Sequence, residues 1–139
     1  MTEIRTVVVE RTFAHAPEKL WRALTQPHLL QEWLMQSDFA PVLGHSFRFT
    51  ADWGGVDCVI KEIEPNRTLS YSWDAFGLES TVTWTLTPTE SGTHLRLEQT
   101  GFRPDQNQAY HGARASWPRF LDGLETLLAR LDEPKALSK

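Results

Sequence analysis

The sequence has 139 residues, of which 40% are hydrophobic and 23% are charged, and its formal net charge is −4. This length and composition fit one globular domain and exclude an intrinsically disordered chain. The arginines are scattered and form no basic cluster, which argues against a nucleic-acid partner. No apolar run reaches the about 20 residues of a membrane span, and residues 1–11 lack a signal-peptide core, so we expect a cytoplasmic protein.

The first third of the chain predicts one strand followed by two short helices. Residues 4–13 are rich in β-branched side chains and predict a strand. Pro17 suits the first turn of a helix that runs to about Thr25, since Leu20 and Leu24 recur at helical spacing. Pro27 restarts the pattern and predicts a second helix that ends near residue 35.

From residue 46 onwards the hydrophobic period changes from that of a helix to that of a strand. Apolar and polar side chains alternate in five consecutive segments between Phe47 and Leu97. Four dipeptides mark the turns between them: Gly54-Gly55, Pro65-Asn66, Phe76-Gly77 and Ser91-Gly92. With the first strand, these segments predict a curved six-stranded antiparallel sheet that has one apolar, aromatic face.

The C-terminal segment predicts a long amphipathic helix that covers this face. Its apolar stripe consists of Trp117, Phe120, Leu121, Leu124, Leu127, Leu128 and Leu131. Pro118 leaves two alternatives, a helix that begins near Ser116 or one that begins near Ala109 and kinks at the proline; we favour the kink. Residues 133–139 are expected to be a frayed tail. The chain is thus predicted to be a single domain with its core over about 4–131.

This order of elements, with several local motifs, resembles the START-like (SRPBCC) superfamily, and specifically bacterial members of the activator of heat shock protein 90 ATPase homologue family. The motifs are APEKLWRALT at 16–25, LQEWL at 30–34, GHSF at 44–47, EIEP at 62–65 with LSYSW at 69–73, and GTHLRLEQTGF at 92–102. Trp117 followed by spaced leucines completes them. The resemblance spans roughly residues 4–131.

The resemblance implies an α+β helix-grip fold, in which the sheet wraps around the C-terminal helix and leaves a cavity between them. Two positions depart from the family pattern. Gln99 stands where relatives often carry histidine, so no role of that imidazole is transferred. Pro118 is expected to reshape the mouth of the cavity. The eukaryotic co-chaperone that names the family has an additional N-terminal domain, which a stand-alone domain lacks.

The predicted ligand site is the set of side chains on the inner sheet face and on the facing side of the long helix. Apolar walls with a few polar groups are typical of small-molecule sites. Gln99 and Tyr71 are the polar groups that would orient a ligand, or else would bond to backbone at the cavity rim. For each ring the alternative is that it fills the core. The set comprises Trp33, Phe47, Phe49, Tyr71, Trp73, Trp84, Gln99, Phe102, Trp117, Phe120, Leu121 and Leu124.

The sequence predicts no catalytic residue, no metal site and no cofactor. The histidines are dispersed, without the close ligand spacing of a metal site. No nucleophile elbow, phosphate loop or dinucleotide motif is present. Asp52, Asp57 and Asp74 are expected to be solvated turn residues at strand ends, with an acid pair as the alternative. The single cysteine, Cys58, is expected to be a core residue.

Three functions remain open at this stage. The favoured one is a non-catalytic carrier or sensor that binds a small hydrophobic molecule, which would be lipid-like, aromatic or polyketide-like. The second is an enzyme of the cyclase or hydratase type acting on a hydrophobic substrate, which would need a perturbed acid or base facing the cavity. The third is a co-chaperone-like interaction module with a protein partner. The protein is expected to be a monomer or a homodimer.

Overall fold

A computed structural model describes residues 4–52 and 54–131 of the chain. It contains one antiparallel sheet and three helices. The elements are β1 (Arg5–Phe13), α1 (Pro17–Thr25), α2 (Pro27–Trp33), β2 (Gln36–Ser37), β3 (Ser46–Ala51), β4 (Gly54–Glu64), β5 (Thr68–Ala75), β6 (Leu78–Pro88), β7 (Thr93–Phe102) and α3 (Asn107–Leu131). The predicted helix-grip fold is confirmed. The predicted tail at 133–139 lies outside the described residues.

The sheet has the strand order β1-β7-β6-β5-β4-β3-β2, and every neighbouring pair is antiparallel. The predicted count of six strands is wrong by one, because β2 adds a seventh strand. β2 is two residues long and pairs with Thr50 and Phe49 of β3. An alternation of period two cannot show in two residues, so the sequence carries no signal for it.

The hairpin turns are largely those that the sequence predicts. Phe76 and Gly77 both have positive φ values, 52° and 84°, as a tight turn between paired strands favours. Asn66 has a φ of 66° in the turn between β4 and β5. Gly54 and Gly55 differ from the prediction: they already pair with Ala51 and Thr50, so they begin β4 and the turn precedes them.

The core lies between the concave face of the sheet and the helices. Along β6 and β7, alternate side chains such as Val82, Trp84, Leu95 and Leu97 are completely buried, whereas their neighbours reach solvent. α3 covers this face and also lies beside the edge strand β1, where Arg11 forms an ion pair of 2.8 Å with Asp122. The sheet therefore buries one face under a helix, as the period-two alternation predicts.

The long helix α3 continues through Pro118. α3 begins at Asn107, which agrees with the favoured start near Ala109 and not with a start near Ser116. Pro118 has no N–H, so it cannot donate to the carbonyl of Arg114 one turn earlier. The guanidinium of Arg11 donates to the Pro118 carbonyl at 3.4 Å, which fixes this part of the helix to β1.

Candidate functional site

A cleft of about 270 Å³ lies between α3 and the sheet. Its floor comes from β5, β6 and β7, its roof from α3, and Met35 closes one side. We divide α3 accordingly into an open half, residues 107–116, and a packed half, residues 117–131. The lining residues are Met35, Trp73, Leu78, Gln99, Phe102, Ala109, Gly112, Ala113, Ser116, Trp117 and Phe120.

Aromatic rings form much of the wall of the cleft. The ring centroids of Trp73 and Trp117 are 5.2 Å apart, and those of Trp117 and Phe120 are 5.6 Å apart. These separations are typical of interacting aromatic pairs. Phe102 is completely buried on the floor, whereas Phe120 is half-buried. The wall therefore presents flat apolar surfaces to any molecule that enters.

A directional chain of hydrogen bonds runs beside these rings. The indole Nε1 of Trp117 donates to Oε1 of Gln99 at 2.8 Å, and Nε2 of Gln99 donates to the Ser80 hydroxyl at 3.0 Å. The Ser80 hydroxyl donates in turn to the carbonyl of Trp73 at 2.8 Å. Because an indole N–H can only donate, the orientation of the Gln99 amide is fixed. Gln99 is 2% exposed, so these hydrogen bonds satisfy most of the donors and acceptors of a buried amide.

The open half of α3 is fastened to the sheet at its start. Arg5 of β1 donates to the side-chain oxygen of Asn107, and its guanidinium lies 4.3 Å from the ring centroid of Tyr110. The side-chain amide of Gln106 donates to the carbonyl of Gly77 at 3.2 Å. These contacts attach the first turn of α3 to the sheet. Further along the open half, the cleft separates the helix from the sheet.

The structure separates the predicted site residues into two groups. Trp73, Gln99, Phe102, Trp117 and Phe120 line the cleft. The others pack in the core and are not among its lining residues: Trp33, Phe47, Phe49, Tyr71, Trp84, Leu121 and Leu124.

The rings outside the cleft contact one another closely. Phe47 contacts both Phe49 and Tyr71, at centroid distances of 5.4 and 5.2 Å. Trp84 donates its indole N–H to the Tyr71 hydroxyl at 2.9 Å, and Trp33 donates to the Ala23 carbonyl at 2.9 Å. Leu121 and Leu124 are completely buried. These residues belong to the core and do not line the cleft.

Sequence reasoning missed the small residues that create the cleft. Ala109, Gly112, Ala113 and Ser116 line it. Their spacing of i, i+3, i+4 and i+7 places them on one face of α3. The packed half directs leucine side chains towards the sheet, whereas this face of the open half carries only small side chains. The signal was present in the sequence as a helical stripe of small side chains that precedes the leucine stripe.

The titratable groups with shifted pKa values lie in the core beside the cleft. Burial raises the pKa of the Tyr71 phenol above its usual range, and the Cys58 thiol makes a smaller contribution. Burial also raises the pKa of Cys58, with smaller contributions from the carboxylates of Asp74 and Asp57. Both groups are therefore neutral at physiological pH, and a neutral buried thiol is a poor nucleophile.

The aspartates that were considered as an acid pair lie outside the cleft. Asp57 pairs in register with Asp74 across β4 and β5, and Asp57 also forms an ion pair of 2.8 Å with Arg48. None of these side chains lines the cleft. Within residues 4–52 and 54–131, no group of three or more His, Cys, Asp or Glu side chains is arranged to hold a metal ion.

A second depression on the outer side of the sheet is larger, at about 620 Å³. Its lining includes the charged side chains of Lys61, Asp74 and Arg103. A molecule bound there would lie beside these charged side chains. The cleft under α3 is smaller, but its walls are aromatic and aliphatic, which is the usual construction of a small-molecule site.

The lining of the cleft offers no ionisable side chain for proton transfer. Among its lining residues, all within the described part of the chain, Gln99 has an amide, Ser116 a hydroxyl, and the two tryptophans indole N–H groups. None of these groups is a general acid or base at neutral pH. In the same described residues, no helix is long and apolar enough to cross a membrane.

Comparison with known proteins gives a consistent result. The model of one family, described as Activator of Hsp90 ATPase homolog 1-like protein, matches residues 14–129. A crystal structure of a protein from Mesorhizobium loti is 60% identical, with a TM-score of 0.91, and the match covers 93% of this chain and all of that one. A Rhodobacter sphaeroides protein is 29% identical, with a TM-score of 0.78, over 95% and 100% of the two chains.

A more distant structure has the same fold. The Aha1 dimer from Colwellia psychrerythraea is 22% identical, with a TM-score of 0.80, and the match covers 89% of this chain and 96% of that one. A search of curated proteins finds no match.

Proposed function

Because the chain belongs to the Activator of Hsp90 ATPase homolog 1-like family of the START-like superfamily, we propose that it binds a small hydrophobic molecule in the cleft under α3, as a non-catalytic carrier or sensor. The observation that carries this proposal is the contrast inside one helix. The packed half fills the space above the sheet with leucines, whereas the open half leaves about 270 Å³ between aromatic walls. Protein interiors are otherwise close-packed, so such a space is a reasonable place for a ligand.

Catalysis is not part of the proposal. An enzyme of the cyclase or hydratase type would use a positioned acid or base, and no residue that lines the cleft has an ionisable side chain. A co-chaperone-like role has no specific contact in its favour.

The test uses a bulky side chain to fill the cleft from the helix. An added Cβ at Gly112 meets no atom within 4 Å, so the backbone at this cleft-lining position accepts a side chain, and Gly112→Phe is designed to place a ring there. Gln108→Phe is the matched control, because Gln108 is exposed on the same half of α3 and does not line the cleft. The probe is N-phenyl-1-naphthylamine, a neutral dye whose fluorescence rises in apolar surroundings.

We expect saturable binding at one site in the wild type and in Gln108→Phe. In Gly112→Phe we expect an affinity at least about tenfold lower, at an unchanged circular dichroism spectrum. Equal affinity of all three proteins would place the dye elsewhere and reject the cleft as the site. No binding by the folded wild type would mean that the cleft takes no such ligand.

A further inference from the structure

We infer that the ligand is a neutral molecule with one or two fused aromatic rings and a single hydrogen-bond acceptor, which the side-chain amide of Gln99 holds. This inference rests on the proposed function, since it specifies the chemistry of a ligand in the same cleft. Three features of the cleft carry it: the charge of its lining, the direction of its hydrogen bonds, and its size and shape.

The lining excludes an ionised ligand. The side chains around the cleft are apolar apart from the Gln99 amide, the Ser116 hydroxyl and the indole N–H groups of the two tryptophans, and none of them carries a charge. An ionised carboxylate or ammonium group that leaves water needs an opposite charge or several hydrogen bonds to compensate for its lost hydration. The lining provides no cation for a fatty acid and no anion for an amine. A neutral molecule enters without this cost.

The hydrogen bonds of Gln99 determine which polar group the ligand carries. Oε1 already accepts from Trp117, and one N–H of Nε2 already donates to Ser80. No described residue accepts the second N–H, although the side chain is 98% buried and lines the cleft. A buried N–H without an acceptor is costly, and it is the rarer kind of unsatisfied group. A ligand that offers a carbonyl or ether oxygen would satisfy it, whereas a pure hydrocarbon would not.

Size and ring arrangement indicate a flat, compact molecule. A cavity of about 150 Å³ is large enough for benzene, and this cleft has about 270 Å³. Trp73, Trp117 and Phe120 present ring faces and edges, with neighbouring centroids 5.2 to 5.6 Å apart. Aromatic rings pack well against such walls at these distances. The volume suits one or two fused rings and is small for a long acyl chain.

The experiment compares three bicyclic probes by isothermal titration calorimetry at neutral pH. 1-Tetralone carries one ketone acceptor, tetralin has the same carbon skeleton without it, and 1-naphthoate carries a negative charge. We expect the wild type to bind tetralone about threefold to tenfold more tightly than tetralin, which is the effect of one hydrogen bond. Naphthoate is expected to bind at least about tenfold more weakly than tetralone.

Variants assign this preference to Gln99. Gln99→Met keeps the length of the side chain and removes the amide, so the ratio of the two affinities should fall to about one. Gln108→Met makes the same change at an exposed position and should keep the ratio. If Gln99→Met does not fold, the comparison of the two neutral probes in the wild type still decides whether a hydrogen bond is made.

The outcomes separate this inference from the proposed function. Equal affinities for tetralone and tetralin, or tighter binding of naphthoate, overturn the inference and leave a hydrophobic ligand site in place. Loss of the preference in Ser116→Ala but not in Gln99→Met overturns the role of Gln99. Failure of the folded wild type to bind any of the three probes or the naphthylamine dye overturns both proposals.

Discussion

The two halves of α3 lie against the same sheet but meet it differently. In the packed half, Leu121, Leu124 and Leu128 are completely buried. In the open half no residue is buried, and the residues that line the cleft are alanine, glycine and serine. The difference teaches that one continuous helix serves both as the main cover of the core and as the roof of a cleft. The volume of the side chains along one face of the helix decides which of these two roles each half has.

The largest effect should come from the packed half. Leu124→Ala removes a completely buried side chain and leaves a cavity, so the free energy of unfolding should fall by about 2–5 kcal/mol. Urea unfolding followed by far-ultraviolet circular dichroism measures this loss. Leu131→Ala is the control, because Leu131 is 42% exposed, and it should cost about 0.5 kcal/mol or less. Similar losses for both would show that the packed half is not the part of α3 that carries the stability.

The next effect concerns the hydrogen-bond chain that joins the packed half to the sheet. Gln99→Leu leaves the indole N–H of Trp117 without its acceptor, and we expect a loss of about 1–3 kcal/mol. The same urea experiment measures it, with Gln108→Leu as the exposed counterpart. An unchanged free energy of unfolding for Gln99→Leu would mean that the indole N–H of Trp117 finds another acceptor in the variant.

A smaller and local effect is expected where the open half begins. Arg5→Ala removes the contacts with Asn107 and Tyr110, which should cost about 0.5–1 kcal/mol. Hydrogen exchange measured by mass spectrometry should show faster exchange at residues 110–116 and unchanged exchange at 124–128. Arg22→Ala, at an exposed position of α1, should change neither region. An equal increase in hydrogen exchange in both halves of α3 would contradict the expectation that Arg5 stabilises only the open half.

The smallest effect is a gain in stability. Gly112→Ala should raise the free energy of unfolding by about 0.5–1 kcal/mol, because alanine favours the helix and its Cβ meets open space. Ala115→Gly is the reverse change on the same half and should lower it by a similar amount. Thermal unfolding scans of the two variants would show opposite shifts. A loss of stability in Gly112→Ala would indicate that the space beside it is already filled.

The sheet and helices were predictable because each has a repeating chemical pattern. The strands around Trp84 and Leu97 alternate strictly, and the leucines of α3 recur at helical spacing. The ends of elements were harder to predict. Gly54 and Gly55 have the composition of a turn, yet they pair within β4, because strand pairing with β3 overrides the local preference of glycine.

The site was less predictable than the fold because its aromatic residues serve two purposes. Trp73 and Trp117 line the cleft, whereas Trp33 and Trp84 stack edge-to-face in the core at 5.8 Å. Trp73 and Trp84 lie on the neighbouring strands β5 and β6, whereas Trp33 and Trp117 lie on helices. The element that carries a ring therefore does not decide whether the ring lines the cleft. Which ring meets a leucine and which meets an alanine depends on the angle at which the helix crosses the sheet, and a single sequence does not report that angle.

The small face of α3 has a consequence for how ligand specificity diverges among relatives. Four positions, 109, 112, 113 and 116, set the height of the roof, and none of them belongs to the leucine core. One methylene group in an apolar pocket changes the discrimination between ligands by about 1–3 kcal/mol. Under the proposed function, single substitutions there would retune the accepted ligand with only a small change in the stability of the fold. Selection for a new ligand and selection for folding would then act on largely separate residues of one helix.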